Sequence, residues 1–308
     1  MSVSPLVTVA ISSYNCANFI IETLDSVKNQ TYPNIQLIIV DDCSTDDSVV
    51  RINNWLQSYP HDATFLVNEK NMGVSAVFDK AFQLANGKYF SYCGSDDILL
   101  PNKLTEQVAI LEKSDASTAV VFSDALLLKE DGGFYFGRFI QRNSKLTDYP
   151  EGDIFHLLAR GNFIPANAAL IKTDLMRDVG GFDKTLYFED WDLWLRLAKK
   201  YKFLFMEEPT VYYRIRHNSL EHSGKLGASG DALLMLAKHL DNEHARETYY
   251  KNLMYHFFDN PESFKKHKKN INEFFPKTTL HKLSNYGGVL VPVVRGLRKL
   301  KNSVWIPK

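Results

Sequence analysis

The sequence predicts an α/β fold: a mostly parallel sheet with helices on both faces, followed by a helical extension. Three features carry that expectation. Short, β-rich apolar runs recur along the first half of the chain. Stretches with apolar residues at helical spacing separate them. Capping and turn residues stand at the junctions, as an alternating strand-helix chain requires.

The elements follow in order. Leu6–Ile11 is an apolar run and reads as the first strand, and Ile20, Leu24 and Val27 repeat at helical spacing after it. Ile35–Val40 is the second run. Ser44, Thr45, Asp46 and Asp47 then offer capping oxygens for a helix reaching Leu56. Ala63–Val67 reads as a strand. Val74, Val77, Phe78, Ala81, Phe82 and Ala85 form a wide apolar stripe that Asn86-Gly87 terminates. Lys88–Cys93 is another strand, Pro101 opens a helix with Leu104, Val108 and Leu111 inward, and Ala119–Phe122 is a strand. The second half is less regular. Asp131-Gly132-Gly133 reads as a hairpin turn, Ala166–Ile171 and Val211–Ile215 as strands, and Asp190–Tyr201 as a helix with Trp191, Trp194, Leu195 and Ala198 on one side. Residues 231–275 are helical in pattern, and the Gly/Ser-containing stretch Ser223–Gly230 is the expected boundary, giving domains 1–225 and 226–308.

Composition narrows the class. The 308 residues include 45% hydrophobic side chains, enough to bury a core. Three scattered cysteines (Cys16, Cys43, Cys93) build no disulfide framework, which leads to the expectation of a reducing cytoplasm. The N-terminus lacks the pattern of a signal peptide, and no apolar run reaches the roughly 18 residues of a membrane span. Lys+Arg and Asp+Glu balance at 36 each, but the charges are segregated. Residues 261–308 hold eleven basic and two acidic side chains, a net +9, which leaves −9 on residues 1–260. Val289–Lys301 mixes apolar residues with Arg295, Arg298, Lys299 and Lys301, a pattern suited to anionic headgroups at a membrane surface, to an anionic acceptor, or to a solvated helix face. The acidic remainder and the lack of a binding motif speak against nucleic acid.

In a parallel α/β sheet, ligands bind beyond the carboxyl ends of the strands. Ser12-Ser13-Tyr14-Asn15 follows the first strand, Asp41-Asp42 the second, Asn71 and Gly73 the third, and Gly94-Ser95-Asp96-Asp97 the next. Carboxylates crowded on one edge repel unless a cation or a hydrogen-bonding ligand offsets them. Hard oxygen ligands suit Mn²⁺ or Mg²⁺ that also holds diphosphate oxygens. Neither Gly-x-Gly-x-x-Gly nor a Walker A loop follows the first strand, which argues against phosphate cradled by a glycine loop.

These residues resemble the inverting glycosyltransferases of family 2, over residues 5–220. Val7–Asn15 is similar to that family's opening strand and nucleotide loop. Val40-Asp41-Asp42-Cys43-Ser44-Thr45-Asp46 resembles its Val-Asp-Asp-Gly-Ser-Thr-Asp signature, Asn71-Met72-Gly73 its Asn-x-Gly step, Gly94–Asp97 its Asp-x-Asp region, and Glu189-Asp190-Trp191 its Glu-Asp motif. The resemblance implies a Rossmann-like GT-A fold and transfer of a sugar, with inversion, from a nucleotide-diphosphate donor, expected to be a UDP-sugar. The expected acceptor is a saccharide or a lipid-linked saccharide, in cell-surface polysaccharide or glycan assembly. It implies that Ser12 and Tyr14 line base and ribose, that Asp42 accepts from the pyrimidine, and that Asn71 borders the donor. Asp96 and Asp97 would hold ribose and metal, with Asp97 favoured for the metal and His217 as a further contact to metal or diphosphate. Asp190 would be the catalytic base, and Glu189 and Trp191 would border the acceptor.

The chain departs from the pattern at Gly94, where the first acid of Asp-x-Asp is missing, at Cys43, where glycine is usual, and at Phe78, where arginine is common. Lys80 and Arg216 are candidates to replace that arginine. Two alternatives remain beside the transferase: an inactive sugar-nucleotide-binding or scaffolding protein, which Gly94 favours, and a nucleotidyltransferase, which the missing phosphate loop disfavours.

Overall fold

A computed structural model describes residues 4–59, 63–144, 146, 148–216 and 227–258. The chain forms two units, Met1–Ser223 and Gly224–Lys308. His217 and the basic segment 261–308 lie outside the described residues.

In the first unit, β1 (Val7–Ser13), β2 (Ile35–Asp41), β3 (Ala63–Val67) and β4 (Tyr89–Gly94) pair in parallel, with β1 between β2 and β4. β6 (Thr118–Ser123), β9 (Ala169–Lys172) and β10 (Lys202–Met206) complete a seven-stranded sheet ordered β10-β6-β9-β4-β1-β2-β3, in which β9 runs antiparallel to β4 and β6. The register sets Ser12 beside Val40 and Gly94, so the segments after β1, β2 and β4 leave the sheet at one edge. The strand expected over Ala166–Ile171 starts later. Residues Ala166–Ala168 form a 3₁₀ turn, because Asn167 turns its amide to Asp97 while the Ala168 carbonyl accepts from the Gln107 side chain.

A second sheet of four strands has the order β5-β11-β7-β8: β5 (Ile98–Leu99), β11 (Val211–Ile215), β7 (Leu126–Lys129) and β8 (Phe134–Arg138). β7 and β8 make the hairpin expected at Asp131-Gly132-Gly133. Gly132 adopts φ +86°, which glycine reaches without steric cost. β11 brings Arg214 and Arg216 beneath the segment that joins β4 to β5.

Alternation along the central strands gives the large sheet two apolar faces. On one, Val7, Val9 and Ile11 of β1 and Leu37 and Ile39 of β2 join Ile20 and Leu24 of α1 (Ile20–Lys28), Ile52 of α2 (Ser48–Leu56) and Leu104 of α4 (Lys103–Lys113). The other is aromatic. Phe78 and Phe82 of α3 (Val74–Gln83) contact Tyr92 and Phe90 of β4, and Trp194 of α8 (Glu189–Ala198) packs near Tyr92 and Phe203. Phe78, at the position where arginine is common, is therefore a core residue, and so is the fully buried Trp194. α5 (Phe139–Asn143), α6 (Phe155–Leu158) and α7 (Thr173–Asp178) are short connecting helices.

In the second unit, α9 (Gly227–Ala237) and α10 (Glu243–Phe258) pack on one another, and Leu233, Leu236, Ala245 and Tyr249 are buried. The helical pattern expected over 231–275 is thus two helices as far as residue 258, and the rest lies outside the described residues. Among the described residues, no helix is long and apolar enough to cross a membrane.

Candidate active site at the carboxyl edge of the central strands

The loop after β1 is bound to the loop after β2. Asn15, at φ +50°, accepts from the Thr45 amide (2.8 Å) through its side chain, its own amide donates to Ser44 Oγ (2.9 Å), and the Ala17 amide donates to Asp46 Oδ2 (2.9 Å). Asp46 also accepts from the Ser48 amide at the start of α2 (3.0 Å), while Asp47, the residue at the cap position, makes no side-chain cap bond. Asp41 is buried and accepts from Ser13 Oγ (2.9 Å) and from the Ser44 amide and hydroxyl (2.8 and 2.7 Å). It holds the loops rather than facing a ligand. Cys43 occupies φ +66°, a left-handed backbone that favours glycine.

Asp42 is 3% exposed, and three donors already use its carboxylate. Asn68 Nδ2 and the Met72 amide donate to Oδ1 (both 2.8 Å), and the Gly73 amide to Oδ2 (2.9 Å). Lys80 donates to Asn68 Oδ1 (2.8 Å), so this candidate phosphate partner is committed to ordering the Asn68–Gly73 loop. Asn71 is exposed on that loop, Tyr14 is 46% exposed, and Ser12 is half-buried at the end of β1. A base contact through Asp42 has one unused acceptor position on Oδ2.

At the end of β4, Gly94 leaves room that its neighbour fills. A Cβ at position 94 would lie 2.9 Å from Asp96 Oδ1, so Asp96 folds back over the place where the missing acid would begin. Asp96 Oδ2 pairs with Arg216 Nη1 at 3.0 Å. Asp97 is 7% exposed; its Oδ1 accepts from the Arg214 amide and its Oδ2 from Asn167 Nδ2, both at 2.8 Å. Burial and then the neighbouring Asp96 push the Asp97 carboxyl well above the usual range, and the two N–H donors oppose this only in part. Arg214, itself buried, ties the region together: Nε donates to the Asp96 carbonyl (2.7 Å), Nη2 pairs with Glu22, and the guanidinium lies 4.8 Å from the Phe19 ring.

This pair fits a divalent cation. Two adjacent carboxylates, one of them buried at an electrostatic cost, offer hard oxygen ligands and a charge that a cation would offset. Among the described residues no group of three or more His, Cys, Asp and Glu is placed to bind metal, so the remaining ligands would come from diphosphate, water or His217.

α8 supplies the third part. Asp190 stands in its first turn, where Oδ1 accepts from the Trp191 amide (2.6 Å) and Oδ2 from Asn162 Nδ2 (2.7 Å). The Ile164 amide donates to Asn162 Oδ1 (3.1 Å), which fixes the side-chain amide so that its NH₂ faces Asp190. Trp191 is half-buried and donates from Nε1 to the Leu158 carbonyl (2.8 Å), tying α8 to the same segment. Burial and then the neighbouring Asp190 push the Glu189 carboxyl above its usual range. Burial first, and then Asp190 and Glu189, raise the Tyr92 hydroxyl of β4 above its usual range.

Asn162, Asn167 and Arg214 support this site, and sequence reading did not single them out. Gly161-Asn162 reads as a turn, Asn167 falls in an expected strand, and Arg214 carried only the faint signal of a charge inside an aromatic strand.

A fold of parallel strands with an acidic carboxyl edge and a second sheet under the acidic pair defines the GT-A class. The family model described as Glycosyl transferase family 2 matches residues 8–162, so the chain belongs to glycosyltransferase family 2. It is 33% identical over 215 residues to an uncharacterized glycosyltransferase of Rickettsia prowazekii (strain Madrid E), a match covering 69% of this chain and 64% of the relative's length. It is 28% identical over 213 residues to an uncharacterized glycosyltransferase of Methanocaldococcus jannaschii, covering 68% of this chain and 71% of that protein. Among solved structures, S. aureus TarS 1-349 in complex with UDP-GlcNAc superposes with a TM-score of 0.61 at 18% identity, over 82% of this chain and 72% of that one. Mannosyltransferase PcManGT from Pyrobaculum calidifontis, in complex with GDP-Man and Mn²⁺, gives 0.58 at 17%, over 94% and 81%.

Proposed function

We propose that this chain transfers a glycosyl group, with inversion, from a nucleotide-diphosphate sugar to a hydroxyl of a saccharide or lipid-linked saccharide. The observation that carries the reading is the Asn162–Asp190 contact at 2.7 Å: a carboxylate with a fixed orientation, beside Glu189, at the start of a helix packed against β4. In this reading Asp190 takes the proton of the acceptor hydroxyl as its oxygen attacks the anomeric carbon, and the nucleoside diphosphate leaves from the opposite face. Asp96 and Asp97 would hold Mn²⁺ or Mg²⁺, whose charge would stabilise a diphosphate leaving group. Ser12, Tyr14, Asp42 and Asn71 border the nucleoside, with UDP as the base-bearing group we favour, and Trp191 borders the acceptor. The structural neighbours bound to UDP-GlcNAc and to GDP-Man with Mn²⁺ support a nucleotide-sugar donor and a divalent ion. Segregation of a net +9 into residues 261–308 supports placement on the cytoplasmic face of a membrane, and the setting in surface glycan assembly rests on analogy with the family.

The test is donor turnover by the full chain and by Asp190→Asn, with the product's anomeric configuration read by NMR. The expected result is inversion and loss of transfer in the variant while nucleotide binding persists. Equal turnover by the two proteins would remove Asp190 from its role, and a retained configuration would reject the single displacement.

A further inference from the structure

Lys103, at the start of α4, is 1% exposed, and the site described above makes no use of it. Among the described residues it has no ion-pair partner. Its Nζ donates instead to neutral oxygens: Ser91 Oγ of β4 (2.9 Å), Gln107 Oε1 (3.0 Å) and the Ala169 carbonyl at the start of β9 (3.0 Å). Gln107, one turn further along α4 and fully buried, donates from Nε2 to the Ala168 carbonyl (2.7 Å). A methionine would fill such a place without the cost of burying a cation, so packing alone does not account for a lysine here. What Lys103 and Gln107 share is the end of the 3₁₀ turn Ala166–Ala168. They hold its last carbonyl and the first of β9, beyond Phe90–Ile171, where the ladder between β4 and β9 stops.

The middle residue of that turn is Asn167, which is 4% exposed and donates from Nδ2 to Asp97 Oδ2 at 2.8 Å. Its own Oδ1 is buried and has no hydrogen-bond partner among the described residues. Asn162, by contrast, is fixed through its Oδ1 by the Ile164 amide. Asn167 lacks such a pin, so the backbone alone sets the direction of its N–H toward Asp97, and Lys103 and Gln107 hold that backbone. We propose that Lys103 and Gln107 are positioning residues for the acidic pair. By clamping the Ala168 and Ala169 carbonyls they aim Asn167 at Asp97, and so fix the orientation in which Asp97 meets a divalent cation. The inference rests on the cation site of the transferase reading. A carboxylate that loses its outer hydrogen-bond partner turns more freely, and outer partners of metal ligands carry about 10- to 100-fold in metal affinity.

The experiment measures Mn²⁺ binding by the full chain in the presence of UDP, from the free-ion signal in electron paramagnetic resonance, with thermal denaturation as the control for folding. Asn167→Ala is expected to weaken Mn²⁺ binding about ten-fold or more. Lys103→Met and Gln107→Leu, which remove no group that touches Asp97, are each expected to weaken it about three-fold or more. In the Asn167→Ala background neither is expected to weaken it further, because the link through which they act is already gone. A merely structural loosening would lower the affinity in both backgrounds. If one of the two variants does not fold, the other carries the same comparison. The proposal falls if Lys103→Met and Gln107→Leu bind Mn²⁺ as the wild type does, or if their losses add in full to that of Asn167→Ala. Failure of the wild type to bind Mn²⁺ with UDP would instead count against the cation site of the transferase reading. The same variants are then compared by denaturant unfolding, where coupled losses of stability support the link from Lys103 to Asn167 and additive losses reject it.

Discussion

Asn162→Ala removes one donor from Asp190 and leaves the backbone near Ile164 without its partner. The Asn162–Asp190 contact spans 2.7 Å and joins a neutral amide to a carboxylate, and such bonds contribute about 1.5–3 kcal/mol. Asp190 keeps its second contact, from the Trp191 amide, and stays on α8, so the carboxylate remains present but loses its fixed direction. If the full value is expressed in the transition state, kcat/KM falls by about 10- to 150-fold, since about 1.4 kcal/mol is a factor of ten. Because Asp190 is half-buried and solvent replaces part of the lost bond, the lower end of that range is expected. Losing a donor to the charged form also moves the acid limb of the rate profile to higher pH. Asn162→Asp, which sets a second carboxylate against Asp190, is expected to lower the rate further. The assay is initial-rate transfer or donor hydrolysis across pH, with thermal denaturation as the control for folding. The reasoning is refuted if Asn162→Ala turns over at the wild-type rate with an unmoved profile while Asp190→Asn is inactive.

Three further outcomes are expected. Cys43→Gly relieves a left-handed residue, and the gain of about 1–2 kcal/mol less roughly 0.5–1 kcal/mol of added chain entropy leaves a small stabilisation in denaturant unfolding; a clear loss would contradict it. Burial lowers Lys103 to about 7 although Ser91, Gln107 and the Ala169 carbonyl accept from it, so between about 7 and 10.5 the unfolded chain binds more protons and stability rises with pH; in Lys103→Met this rise is absent, and a matching slope would exclude Lys103 as its source. Glu189 works in the opposite sense: its raised value means that the native state holds more protons between 4.5 and about 8, so wild-type stability falls across that window, and Glu189→Gln should flatten the curve.

The elements that were legible in the sequence depend on near neighbours. Val211–Ile215 and the hairpin at Gly132 follow from local alternation and turn chemistry, and Leu104, Val108 and Leu111 face inward as their spacing implies. The late start of β9 was not legible, because its cause is Asn167 reaching Asp97, 70 positions away in the chain. Lys80 and Arg216 were candidates for phosphate, yet one holds the Asn68–Gly73 loop and the other holds Asp96. Their charge was visible in the sequence, but their partners were not.

By itself the sequence determined the alternation of strands and helices, the acidic residues that follow those strands, and the segregation of positive charge to the end of the chain. These are properties of composition and short-range order, where a period of two or of 3.6 residues is enough. Only the tertiary structure decided which donors each carboxylate meets. Asp41 and Asp42 look alike in the sequence, but Asp41 is spent on the Ser13 and Ser44 loops and Asp42 on the Asn68–Gly73 loop, whereas Asp96, Asp97 and Asp190 are set by Arg216, Arg214 and Asn162. A carboxylate's role depends on how many donors already occupy its oxygens, and donors 28 to 120 residues away are brought to it by folding alone.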